Sequence, residues 1–184
     1  MNIALLSLWM PILLSAVAVF FASSLIWMVL QYHNSDWKKL PNEEAARDAL
    51  KGLSPGNYSI PHCAGNKERA DPAWQARYAE GPVVMLNVFP HGSLAMGKQL
   101  GQWFVYCVVI STLVAYAAGT TLMAGAEGMK VFQVTATVAV LAYAGSAACN
   151  SIWFGNSWSR TAKDILDGLI YGHLTAGIFC WLWP

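Results

Sequence analysis

Two acids, Asp164 and Asp167, stand three residues apart where the last apolar stretch of the chain begins. Carboxylates at such a place have two uses. In the first turn of a helix they answer the positive end of the backbone dipole. At membrane depth they hold a cation or a proton, because an ionisable side chain there is costly and is usually kept for function. Asp167 is the stronger candidate for the second use, since it lies about one turn, roughly 5 Å, deeper than Asp164. Arg160 and Lys163 precede the pair and can neutralise it. His173 is the histidine nearest a bilayer centre, about eight residues into the same stretch. It can relay a proton, ligate a haem iron or hydrogen-bond a neighbouring helix. No other stretch offers a second axial ligand at that depth, so the interhelical hydrogen bond is the plainer expectation. Asp167, His173 and Asn150 together outline a polar path.

Other residues carry metal-ligand chemistry without a matching pattern. His62-Cys63, His91 and His33 include the types that zinc takes, but their spacing fits no CxxC pair or HxxxH helix. His62, Cys63 and His91 are therefore weak metal candidates, and no metal or cofactor is expected. The four cysteines, Cys63, Cys107, Cys149 and Cys180, are far apart in sequence and read as free thiols acting as small hydrophobes. No GxSxG, P-loop, GxGxxG or HExxH motif occurs, and no catalytic residue is assigned. Packing signals are clearer. Gly168, Gly172 and Ala176 recur every four residues, as do Ala142, Ser146 and Asn150, and small residues at that interval let helices approach closely.

These residues must be positioned by membrane helices. Of the 184 residues, 56% are hydrophobic and 11% charged, where a soluble domain carries about 25% charge. Four long apolar stretches run from about Ile3 to Leu30, Gln102 to Met123, Val131 to Phe154 and Ile165 to Trp183. Each approaches or exceeds the roughly 20 residues that cross a bilayer core of about 30 Å. The first lacks a basic leader and exceeds the usual apolar core of a signal peptide, so it is expected to be a retained anchor. Pro11 bends that helix or marks its start. Continuous apolar runs, not ten-residue alternations, exclude a barrel. The expected fold is all-α: one membrane domain over 1–184, built as a four-helix bundle with a loop of residues 31–101 between the first two helices.

Basic residues orient it. Ten of the eleven Lys and Arg lie in that loop or in the last connection, and Lys130 alone lies opposite. The positive side stays cytoplasmic, so both termini are expected outside and the long loop inside. The loop is expected to fold back on the helix ends. Within it, Asn42 and Asp71 read as caps of two short helices, with Pro72 at the first position of the second. Ser54-Pro55-Gly56-Asn57 has turn chemistry. The apolar run Val83 to Phe89 fits either a strand or a surface-lying segment. Seven acids nearly balance eight bases in this loop, which argues against nucleic-acid binding.

The segments Met96 to Cys107 and Asp164 to Tyr171, with the ending Trp181-Leu182-Trp183-Pro184, resemble an uncharacterised group of small bacterial inner-membrane proteins. That resemblance implies a multi-pass protein of the bacterial inner membrane and carries over no functional residue. The leading functional expectation is non-catalytic: an accessory or assembly subunit, its partners being the lipid bilayer and other membrane subunits or further copies of itself. The alternative is a small transporter or channel using Asp167, His173 and Asn150. A redox or metal-binding membrane protein is the weaker third.

Overall fold

The computed structural model describes residues 3–92 and 95–184 and is mostly helical. In chain order its elements are α1 (Trp9–Ser24), α2 (Glu43–Leu50), β1 (Gly56–Ile60), α3 (Asn66–Arg69), α4 (Pro72–Glu80), β2 (Val84–Val88), α5 (Gly97–Thr121), α6 (Gly128–Ala144), α7 (Ala147–Phe154) and α8 (Trp158–Trp181). They form two compact units, one of Met1–Lys38 with Ala95–Pro184, the other of Lys39–Leu94.

In the first unit three helical stretches are long and apolar enough to cross a membrane: Leu5–Leu30, Gly97–Thr121 and Gly128–Phe154. Only 33%, 39% and 28% of their most apolar windows are buried inside the protein. Most of that apolar surface therefore faces outward, with Phe21, Tyr116, Leu141 and Trp153 each between 61% and 73% exposed. Surface of that kind is unfavourable in water and at home in lipid. The 24 residues of α8 span about 36 Å. Its first ten residues include Arg160, Lys163, Asp164 and Asp167, which keep it below the apolarity of the other three.

Local sequence explains the helix ends. Pro11 is the third residue of α1, where its missing N–H is one of the donors that lack a partner in any first turn. It marks a start, not a bend, and a 3-10 turn at Leu5–Leu8 precedes it. The helix then widens into a π-helical turn, Leu25–Leu30, closed by the Gln31 N–H reaching back five residues to the Ile26 carbonyl at 2.9 Å. Gln31 adopts φ 51°, a left-handed conformation uncommon for a residue with a Cβ. A 3-10 turn, Tyr32–Asp36, follows. The stretch expected to run unbroken from 131 to 154 is divided at Gly145-Ser146 into α6 and α7. Gly155, at φ +71°, ends α7 as a left-handed cap. Ser157 caps α8, its Oγ accepting the Arg160 N–H at 3.2 Å.

The long helices lie antiparallel to their chain neighbours. The Ile3 N–H donates to the Gly119 carbonyl at 3.0 Å and the Gly125 N–H to the Pro184 carbonyl at 2.6 Å. One end of the unit thus gathers the start of the first stretch, the end of α5 and the end of α8. The opposite end gathers the turn after α1 and the start of α8, where Lys163 reaches Tyr32, Ser35 and Asp36. The core between them is small-residue and aliphatic: Leu8, Ile12, Val114, Val131 and Phe179 toward the first end, Ala16, Val19, Ile26, Cys107 and Tyr171 toward the second.

The second unit, Lys39–Leu94, holds the short helices expected in the loop together with a two-stranded sheet. Its strands β1 and β2 pair antiparallel from Gly56 opposite Val88 to Ile60 opposite Val84. The run at Val83 to Phe89 is therefore mainly strand, with Val84, Leu86 and Val88 partly covered and Met85 and Asn87 exposed, the alternation a half-buried strand requires. Gly56 and Asn57, expected in a turn, begin β1. Trp74 is the best-buried side chain here; it stacks on Tyr78 at 5.0 Å and donates from Nε1 to the His62 carbonyl at 2.8 Å. Asp71 caps α4 by accepting the Ala73 N–H at 2.9 Å. Asn42 occupies the cap position of α2 without a side-chain hydrogen bond to it.

Candidate functional site

The 3-10 turn Tyr32–Asp36 sets four side chains against α8. Tyr32 donates its hydroxyl to Asp167 Oδ1. His33 Nε2 lies 3.2 Å from Asp167 Oδ2, and His33 Nδ1 lies 2.9 Å from Asp36 Oδ2. Lys163, one turn before Asp167, donates from Nζ to Asp36 Oδ1 at 2.6 Å, to Ser35 Oγ at 2.7 Å and to the Tyr32 carbonyl at 2.9 Å. The result is one continuous chain, Lys163 to Asp36 to His33 to Asp167 to Tyr32. Its centre is buried, His33 being 2% exposed and Asp167 5%, while Lys163 at one end is partly exposed. The indole of Trp27 lies flat on the imidazole, 4.1 Å between centroids and 2° between planes.

Hydrogen-bond stoichiometry says what this arrangement holds. A carboxylate only accepts, and a neutral imidazole has a single N–H. His33 faces a carboxylate from each ring nitrogen. Both contacts are satisfied only when the ring carries both hydrogens or when one carboxyl carries its own. Two buried carboxylates thus share one imidazole, an arrangement with room for one proton beyond the neutral ring's own. The hydrogen bond from Lys163 holds Asp36 below the ordinary carboxylate range, with help from His33 and against the opposing effect of burial. Burial, then the hydrogen bond to Asp167, pushes the Tyr32 phenol up, so that it stays a donor. Asp36 is thus the fixed anion, and Asp167 Oδ2 faces the other ring nitrogen of the same imidazole.

Asp167 also borders a chamber of about 520 Å³, within the range of small-molecule sites. Its walls come from the end of the first stretch, the start of α5, the end of α6, from α7 and from α8. Five aromatic side chains face it: Trp27, Trp103, Tyr106, Tyr143 and Tyr171. They brace one another, with Trp103 stacked on Tyr106 at 5.6 Å and Tyr143 edge-on to Tyr171 at 5.5 Å. Trp103 Nε1 donates to Ser23 Oγ at 2.8 Å, which fixes α5 to α1 at this level. The Tyr143 hydroxyl is buried with no hydrogen-bond partner among the described residues. Asp164 and Asn150 also line the chamber.

The residues singled out by sequence are distributed unevenly. Asp164 and Asp167 are the seventh and tenth residues of α8 and so lie beyond its first turn, which Ser157 caps. The dipole reading fails for that reason. Arg160 stays 3.9 Å from Asp164, while Lys163 pairs with Asp36 and not with either acid of α8. His173 is not on the path: it sits on an exposed face of α8, its Nδ1 2.6 Å from the carbonyl of Leu169 on its own helix. Gly168 and Gly172 do meet α6, but the facing row is Val140 and Ala144, whose backbone nitrogens would each stand 3.0 Å from an added Cβ. Of the expected row, Ala142 packs at the edge of the core, and Ser146 and Asn150 turn to the chamber. Ala176 is fully buried. In the second unit His62 offers its carbonyl to Trp74 and Cys63 donates to the Gly65 carbonyl at 3.3 Å. Neither converges with His91; among the described residues no three His, Cys, Asp or Glu side chains are placed to hold a metal. The cysteines are free thiols.

Tyr32, His33, Asp36, Trp27 and Trp103 were not read as a site from sequence, although His33 was noted as a metal-ligand type. One signal pointed at them. A buried acid in an apolar helix requires a partner at its own depth, and the turn after the first stretch is at that depth. Comparison with family models, with curated proteins and with solved structures finds no match.

Proposed function

We propose that this chain is a multi-pass protein of the bacterial inner membrane that binds a small solute in the chamber beside Asp167 and moves it across the bilayer. The observation that carries the reading is the Lys163–Asp36–His33–Asp167 chain, buried at His33 and Asp167, ending at the wall of a 520 Å³ aromatic chamber. A purely structural ion pair has no need of a cavity next to it, and burying charge for stability alone brings little. In this reading α8 is a fourth crossing, the four long helices form a bundle, both termini lie outside, and the charged end faces the cytoplasm. The hydrogen bonds that gather the two chain ends together support that arrangement, as does the basic-residue asymmetry.

An accessory-subunit role has less to rest on. It drew on the small-residue rows Gly168, Gly172, Ala176 and Ala142, Ser146, Asn150 as packing faces, whose partner helix the sequence leaves open. Gly168 and Gly172 are taken up by α6 of the same chain. Two experiments separate the readings. Full-length protein purified in mild detergent and placed in lipid nanodiscs is titrated with small charged and neutral solutes while its tryptophan fluorescence is followed. Solute-dependent quenching in an isolated protein supports the proposal; stoichiometric membrane partners together with no response to any solute overturn it. A reporter that works only in the cytoplasm, fused after Pro184, is expected to be silent, and activity there overturns the orientation.

A further inference from the structure

The chamber itself says which solute it fits. Among the described residues lining it, the ionised side chains are Asp164 and Asp167, and no Lys, Arg or His is with them. The rest of the wall is aromatic side chains, methionine, Leu100, small residues and the neutral amides of Gln99 and Asn150, with the Tyr143 oxygen unpartnered among the described residues. Ring faces carry negative potential and attract a cation, most strongly when water is excluded. An anion would meet two acids and a wall of ring faces. A bare metal ion would lack a set of three ligand side chains. An amine or quaternary ammonium with an apolar body meets a carboxylate at one edge and aromatic faces around it.

The neighbouring proton adds a second element. With one shared proton, the charges of Lys163, His33, Asp36 and Asp167 cancel. Without it, the cluster carries one net negative charge, and the acid nearest the chamber is Asp167. The groups that set this balance surround it. Tyr32 and Asp36 are on the same turn as His33; Arg160, Lys163, Asp164 and Tyr171 come from α8, Tyr106 from α5 and Tyr143 from α6. Cation and proton thus compete for one negative charge.

We infer that the chamber takes an organic cation with an apolar body, whose charge replaces the proton held between His33 and Asp167. The proton leaves to water, the cation enters unchanged, and no bond other than N–H or O–H is broken. The inference rests on the chamber being a solute site and specifies the charge of the solute and what it exchanges for.

The test uses full-length protein in nanodiscs, tryptophan fluorescence and three probes. These are benzyltrimethylammonium, its uncharged carbon isostere neopentylbenzene, and benzenesulfonate. The expected result is saturable quenching by the ammonium alone. Its apparent affinity should fall about tenfold per pH unit on the acid side, as one-for-one exchange requires. In weak buffer with a pH indicator, each bound cation should release one proton. Asp167→Asn should lose both the affinity and the release. If that variant does not fold, Trp103→Leu is expected to weaken binding while leaving its pH slope intact, and the wild-type release stands by itself. Equal binding of neopentylbenzene or benzenesulfonate, or ammonium binding without pH dependence and proton release, overturns the inference and leaves a solute site. Failure of all three probes overturns the inference, and the proposed function falls with it when no other solute quenches and stoichiometric membrane partners co-purify.

Discussion

Two faces of α8 solve opposite problems within one turn of each other. On the first, Gly168 and Gly172 remove side chains so completely that the backbone of α6 comes to van der Waals distance. On the second, Asp164, Asp167 and Tyr171 point toward a chamber that no side chain fills. The two are coupled. Drawing α8 hard against α6 at Val140 and Ala144 leaves the space between α8, α7 and the start of α5 open. The dry seam is fastened by dispersion, which is strong only at contact. The open side is fastened by a chain of charged hydrogen bonds to a turn more than a hundred residues away. Close packing thus supplies position, and the polar chain ties the buried acid of α8 to the turn after the first stretch.

The comparison can be broken from either side. The largest effect is expected from His33→Ala, which leaves Asp36 and Asp167 buried without their common partner; removing one member of a buried pair typically costs about 3–5 kcal/mol. Reversible unfolding in mixed micelles measures it, and a loss under about 1 kcal/mol would rank the cluster with ordinary surface pairs. Next comes the seam. At Gly172 an added methyl meets the Val140 backbone nitrogen at 3.0 Å, and overpacking of this kind costs about 1–3 kcal/mol. Gly177→Ala is the matched control on the same helix, since nothing lies within 4 Å of an added Cβ there. It should leave the unfolding midpoint unchanged or slightly raised, and equal losses at the two positions would remove the seam from the account.

A smaller effect follows pH. The Asp36 carboxyl is held below its ordinary value in the folded protein. The folded state therefore binds its proton less readily than the unfolded state does, and the stabilisation is complete above the ordinary carboxylate value. It is lost as pH falls through the lowered one, below about 4. Thermal midpoints taken downward from pH 7 should fall for the wild type and stay flatter for Asp36→Asn. The smallest effect belongs to Arg160→Gln. That guanidinium is 3.9 Å from Asp164 with both side chains more than a quarter exposed, and a pair of this kind contributes about 0.5 kcal/mol or less.

The membrane helices were legible in the sequence because their signal is local. Length and unbroken apolarity mark Leu5–Leu30 and Gly97–Thr121 without knowledge of any neighbour. Caps such as Asp71 are equally local. The break at Gly145-Ser146 was missed because both flanks are apolar and the sum over the stretch hides it. The sequence singled out Asp167 with His173 and Asn150; Asn150 lines the same chamber as Asp167, while His173 does not. His173 shares its helix and Asn150 its neighbourhood in sequence, but periodicity turns His173 to an exposed face. The partners that do reach Asp167, Tyr32 and His33, lie 135 and 134 residues away. Pairing at that separation leaves no mark in spacing or composition.

Composition and order alone determined a helical chain with apolar segments suited to a bilayer, basic residues concentrated in two segments, and an acid, Asp167, in its last helix. These follow from transfer energies and charge, which add residue by residue. Which side chains surround that acid, that α6 and not another protein covers the glycine row, and that a chamber opens beside it were decided by the tertiary structure. Each depends on how helices rotate and translate against one another. That choice is set by contact shape, a property of pairs of surfaces, not of any stretch read on its own.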